Sequence, residues 1–168
     1  MNVTRHLAVA LAALAVGATA VAGYVSSRPH AAPDVAFVRM DGSPAHLAQF
    51  KGKVVLVNFW ATDCPICLKD MPQMVATHQQ FSADGYVTLA VAMRYNPPAA
   101  VIQYTEAQHL PFIVVIDNMG AVARSFGGVE GTPTAVLINK RGEIVKRYVG
   151  EPDFAELRGR VQKLLNEA

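Results

Sequence analysis

The chain has 168 residues and a formal net charge of +2 at pH 7. That is room for one domain with an extension, and too little charge, with no long Lys/Arg run, to suggest a nucleic-acid partner. The hydrophobic fraction of 52% is slightly high for a soluble domain.

Much of that excess lies in Leu7 to Val25, LAVALAALAVGATAVAGYV, which contains no charged residue. As a helix it spans roughly 28 Å, close to the hydrocarbon thickness of a bilayer. Two readings of residues 1–25 stay open. One is an uncleaved N-terminal membrane anchor. The other is a cleaved signal peptide, since Ala18-Thr19-Ala20 and Ala20-Val21-Ala22 both satisfy an A-x-A pattern. Both put the rest of the chain across a membrane. Arg5 agrees weakly with the positive-inside rule, and Arg28 dilutes that agreement. Residues 26–33, SSRPHAAP, read as a linker, and 34–168 as one domain.

Val35 to Arg39 is a short strand candidate, followed by a turn at Asp41-Gly42. Lys53 to Trp60 is a nearly continuous apolar run, the pattern of a strand buried on both faces of a sheet. The segment after Cys64 is helical, with Ile66, Met71, Met74, Val75 and His78 at helix-like spacing, Pro72 as an expected kink and Gly85 as its close. Val87 to Met93 is the next strand. Asn96-Pro97-Pro98 turns the chain into a helix over Ala99 to His109, and Phe112 to Ile116 is a third buried strand. A short helix over Met119 to Phe126 ends at Gly127-Gly128. Thr134–Asn139 and Glu143–Val149 form a hairpin through Lys140-Arg141-Gly142. Asp153 caps a last helix that carries Phe154, Leu157, Val161, Leu164 and Leu165 on one face. Strands alternating with helices predict an α/β layer fold, and the closing hairpin makes its central sheet mixed.

The only two cysteines are Cys64 and Cys67, in WATDCPIC. A structural disulfide across so short a loop would stabilise little. A zinc site would need further ligands, but the histidines at 6, 30, 46, 78 and 109 have no metal-ligand spacing, so no metal is expected. The third reading uses position. A buried strand ends at Trp60, and a helix starts at or just after Cys64 with Pro65 in its first turn, where a missing N–H loses nothing. Free N–H groups and the helix dipole then favour the Cys64 thiolate. Cys67, about one turn on, is placed to attack a mixed disulfide formed by Cys64. Cys64 is thus the nucleophile, Cys67 the resolving thiol, and their disulfide the only redox group expected, with no other cofactor.

VVLVNFWATDCPICLKDMP, residues 54–72, resembles the active-site strand and helix of the thioredoxin superfamily, nearest its TlpA/ResA-like branch of membrane-anchored thiol–disulfide oxidoreductases. The strand pair around Asp41-Gly42, Pro72 eight residues after Cys64, Gly131-Thr132-Pro133-Thr134 before a strand, and the closing TAVLINKRGEIVKRYVG agree with it. The resemblance covers about Val35 to Ala168. It implies a thioredoxin-like fold with an N-terminal strand extension and a central αβ insertion. It also implies that the Thr132–Pro133 bond is cis, although a trans proline heading a strand is the plain alternative. Thr132 and Pro133 would then line the path of an extended substrate segment, with Trp60, Pro65 and Ile66 around the dithiol.

Three acids could move protons or tune the thiols. Asp70 occupies the position of the family's CxxCxxE glutamate and reads either as a proton acceptor or as a solvated surface acid. Glu130, before the proline loop, reads as a surface charge. Asp63 departs from the family, which commonly has a bulky or aromatic residue before the first cysteine. Its charge opposes a Cys64 thiolate and favours a reductant over a strong oxidant, and apolar Ile66 points the same way. Asn58 stands where classical thioredoxins carry a buried Asp; it can hydrogen-bond but not titrate.

The resemblance implies a reductase of disulfides in exported proteins, with apocytochrome c or metal-site cysteines as clients and a DsbD/CcdA-type membrane protein as thiol donor. It implies a domain held at the inner membrane facing the periplasm, or free there if cleaved. Two other functions are weighed. A peroxiredoxin-type peroxidase would need PxxxTxxC, but Val57 and Ala61 fill the Pro and Thr positions. A Sco-type copper module would need CxxxC and a positioned His.

Overall fold

The computed structural model describes residues 30–167. The expected anchor at 1–25 and the linker residues 26–29 lie outside them, and among the described residues no helix is long and apolar enough to cross a membrane.

β4 (Val54–Trp60) is the strand around which the sheet is built. All seven of its residues are buried, as its nearly continuous apolar run predicts. It pairs in parallel with β5 (Tyr86–Ala92) on one side and antiparallel with β7 (Thr134–Ile138) on the other. β6 (Ile113–Ile116) continues the parallel side and β8 (Glu143–Val149) the antiparallel side. With the two-residue β1 (His30–Ala31), the order is β1-β8-β7-β4-β5-β6. The expected linker therefore contributes a short strand next to β8, where the Ala32 N–H donates to the Gly142 carbonyl at 2.8 Å. β2 (Ala36–Val38) and β3 (Pro44–His46) make a separate antiparallel pair across the Asp41-Gly42 turn.

Because successive β4 side chains point to opposite faces, the sheet carries two cores. On one face Leu56 and Trp60 pack with Cys67, Met71 and Met74 of α1 (Pro65–Phe81), Val101 of α2 (Pro98–Ala107), and Leu157 and Val161 of α4 (Phe154–Asn166). On the other, Val57 and Phe59 pack with Phe37 of β2, and with Val122 and Phe126 of α3 (Ala121–Ser125). Asp153 caps α4 as expected, its Oδ1 accepting from the N–H groups of Ala155 at 2.9 Å and Glu156 at 3.1 Å. α1 continues through Pro72. Ile66 departs from its apolar row: it lies in the first turn of α1 and is 47% exposed.

Asp117, just after β6, is a buried acid with a structural task. Its two oxygens accept from the backbone N–H groups of Val122 at 3.2 Å and Ala123 at 2.9 Å, and its carbonyl accepts from Gly120 at 2.8 Å. A five-residue helix cannot sustain itself in isolation, so this carboxylate fixes α3 against the sheet. Asp117→Ala should lower unfolding free energy by about 1–3 kcal/mol, the range for losing charge-assisted bonds at a buried site, measured by urea denaturation.

Candidate active site

Strand direction gathers the expected site residues at one end of the sheet. β4, β5 and β6 end there at Trp60, Ala92 and Ile116, while antiparallel β7 begins there and β8 ends there. Backbone bonds tie the emerging loops together: Met93 N–H donates to Trp60 O at 3.0 Å, and Gly150 N–H to Pro133 O at 2.9 Å. The Thr132–Pro133 bond is cis. Pro133 is buried and Thr132 half-buried.

The loop that delivers the cysteines is held by Asn96. Its Oδ1 accepts from both the N–H and the Oγ1 of Thr62, each at 2.7 Å. Two residues on, Cys64 occupies the N-cap of α1 with Pro65 first in the helix. The Cys64 Sγ accepts the Cys67 N–H at 3.2 Å. The sulfur thus sits where unpaired helix N–H groups and the dipole favour negative charge. Cys64 and Cys67 form a disulfide with Cα atoms 5.2 Å apart. Their exposure differs: Cys64 is half-buried, Cys67 only 3% exposed. One sulfur is open to a partner, and the other is reached through it.

Trp60 is wholly buried and packs on Tyr104, ring centroids 5.4 Å apart. Asn58 is buried on the same strand face, between Leu56 and Trp60. Asp63, Pro65 and Ile66 are exposed around the mouth of the disulfide. Glu130 is exposed in the loop leading to Thr132.

Asp70 is not a solvated surface acid. It is 5% exposed, and its Oδ2 is buried with no hydrogen-bond partner among the described residues. Burial, and next the negative charge of Glu151, push its carboxyl up to about 6, with Lys69 acting the other way. Glu151 follows β8 and is held by Lys69, whose Nζ lies 3.0 Å and 3.1 Å from its two oxygens. Sequence reasoning missed Glu151, Tyr95 and Asn96. Asn96 had registered only as a turn residue, and Glu151 stands next to Gly150 with no local pattern to mark it. Tyr95 reaches the proline loop, its OH 3.3 Å from Thr132 Oγ1. Among the described residues no cluster of His, Cys, Asp and Glu could hold a metal ion.

The Redoxin family model matches residues 29–160. A thiol-disulfide oxidoreductase ResA from Bacillus cereus is 30% identical over 155 residues, covering 89% of this chain and 88% of that protein. Among solved structures, a candidate thioredoxin from Neisseria meningitidis is 37% identical with a TM-score of 0.77, over 84% of this chain and 93% of that one. A thiol:disulfide interchange protein of the thioredoxin family from Chlorobium tepidum is 30% identical with a TM-score of 0.75, over 83% and 99%.

The raised carboxyl of Asp70 has a stability signature. The folded state binds this proton more tightly than the unfolded state, so its contribution is unfavourable above the folded value of about 6 and vanishes below the unfolded value of 3.8. Asp70→Asn should match the wild type in urea denaturation near pH 4 and exceed it by about 1–3 kcal/mol at pH 7.

Proposed function

The chain belongs to the Redoxin family and is a thiol–disulfide oxidoreductase of the ResA-like kind, and from that premise we propose that it works as a reductase of disulfides in proteins outside the cytoplasm. The observation that carries this is the unequal cysteine pair. An accessible Cys64 at a helix N-cap is backed by a buried Cys67 one turn away.

In the reduced protein the Cys64 thiolate attacks one sulfur of the client disulfide, and the other client sulfur leaves as thiolate. The mixed disulfide holds client and protein together. Cys67, as thiolate, then attacks Cys64 Sγ and expels the second client sulfur. Two electrons have passed to the client, and Cys64–Cys67 is the disulfide seen in the structure. Asp70, buried on the same helix face as Cys67 with its carboxyl raised to about 6, takes the Cys67 proton and returns it to the departing thiolate. No other cofactor enters these steps. The client segment lies along Thr132 and Pro133, with Tyr95 beside it and Trp60, Pro65 and Ile66 shaping the mouth.

The exposed charge of Asp63 beside Cys64 supports a reducing role, since strong oxidants stabilise their thiolate instead. A peroxidase role has no support at Thr62, whose hydroxyl is engaged by Asn96. Clients such as apocytochrome c or metal-site cysteines, a membrane thiol donor of the DsbD/CcdA type, and residues 1–25 as anchor or export signal belong to the same reading. An oxidising compartment would not keep Cys64 reduced unaided.

The full chain should reduce a protein disulfide with dithiothreitol as donor. Cys64→Ser should fall to the uncatalysed rate, and Cys67→Ser should accumulate a mixed disulfide with the client. A redox titration should place the couple nearer thioredoxin's potential of about −270 mV than DsbA's of about −120 mV. A value at the oxidising end would overturn the reductase reading.

A further inference from the structure

Next to the proposed client path lies a groove of about 440 Å³ that no step above uses. Arg94, Tyr95, Gly120, Arg124, Val129 and Glu130 are among its walls. Two sets of contacts fix it beside the chemistry. Tyr95 touches Thr132, and neighbouring Asn96 holds Thr62, two residues before the nucleophile. Glu130 leads directly through Gly131 into the same proline loop.

The groove's charge is unusual. Gly120 has φ +66°, and a Cβ built there would meet Arg94 Cδ at 3.0 Å and Arg124 Nη1 at 3.2 Å. Both arginines therefore fold over the same glycine, and any side chain at 120 would push them apart. Arg124 Nη1 is steadied by the Met119 carbonyl at 2.6 Å. Among the described residues the ion pairs are Lys69–Glu151, Arg141–Glu143 and Arg160–Glu156, and neither groove arginine takes part in one. Glu130 shares the groove without pairing to either. The other nearby acid, Asp117, is buried and already engaged by backbone N–H groups of α3. The groove therefore carries two guanidinium groups against one carboxylate, that of Glu130, and neither arginine is ion-paired among the described residues. Planar guanidinium forks suit a carboxylate better than any other group a polypeptide offers. Tyr95, in the groove wall and 50% exposed, adds contact surface for an extended chain.

We propose that the Arg94–Arg124 groove is a docking subsite for an acidic side chain of the client, carried a few residues from the cysteine under attack. The subsite rests on the reductase reading, because it assumes a polypeptide lying along Thr132. It works by selecting and orienting clients, and Arg94 and Arg124 touch no reacting atom.

The test uses short peptides with one cysteine capped as its 2-thiopyridyl disulfide, a neutral chromophoric leaving group. Glu or Gln occupies the positions flanking the cysteine. The reduced full chain is mixed with each peptide, and release of the thione is followed. At low ionic strength the Glu peptide should react about fivefold faster than the Gln peptide, the effect of one or two partly exposed ion pairs. The ratio should approach one at high salt and in the Arg94→Gln/Arg124→Gln double variant. The Arg94→Lys/Arg124→Lys variant should keep part of it. Each ratio is internal to one protein preparation, so a loss of folded protein does not imitate the result. A ratio near one in the wild type, or a preference undiminished in the double Gln variant, overturns the subsite alone. No release from any peptide overturns the reductase reading and the subsite together.

Discussion

The site depends on the confinement of β4. Its seven residues are buried on both faces and gripped by β5 and β7, with Trp60 opposite Ala92 and Phe59 opposite Thr134. A slip of one residue in either register would reverse every side chain and move Trp60 out of its core. The same registers decide which loops meet. The Cys64 loop, the Arg94–Asn96 loop and the proline loop are neighbours because the strands that feed them are locked side by side. Chemistry that needs sulfur, amide and backbone held in alignment is thereby placed at the ends of paired, buried strands.

From that rigid base the two sulfurs acquire different environments through a single helical turn. Cys64 stands before the helix and faces solvent, while Cys67 points back into the core with Met71 and Met74. The core-facing stripe that buries Cys67 also buries Asp70. Packing, not an added device, therefore separates attack from resolution and brings a carboxyl of shifted affinity within the same stripe. The cover comes from the far end of the chain, where Glu151 meets Lys69 and Arg158 reaches Gln73 at 3.0 Å.

What was legible in the sequence was what neighbouring residues dictate. A nearly continuous apolar run marked β4, Pro65 marked the start of α1, Lys140-Arg141-Gly142 marked the hairpin, and Asp153 marked the last cap. The family resemblance pointed to the proline loop. Contacts between distant segments were not legible. Nothing in Asn96-Pro97-Pro98 announces a partner 34 residues earlier, and nothing around Glu151 announces α1. Asp70 could be read as surface or core because a helix face is buried only once its neighbours are known. Ile66 shared the apolar spacing of α1 but lies exposed in its first turn. Arg94 and Arg124 lie 30 positions apart, and only the fold sets both against Gly120.

Asn96 carries one more implication. Its oxygen satisfies two donors, yet its Nδ2 is buried with no hydrogen-bond partner among the described residues. A carboxylate of the same size would accept both bonds and leave no donor stranded, so hydrogen bonding alone would favour aspartate. The amide keeps the acceptor and omits the charge. In a side chain bonded to Thr62, two residues before a sulfur that must become an anion, a stranded N–H is a smaller electrostatic disturbance than a buried negative charge. On this argument the loop tolerates a local imperfection and adds no buried negative charge to the exposed one that Asp63 already places beside Cys64.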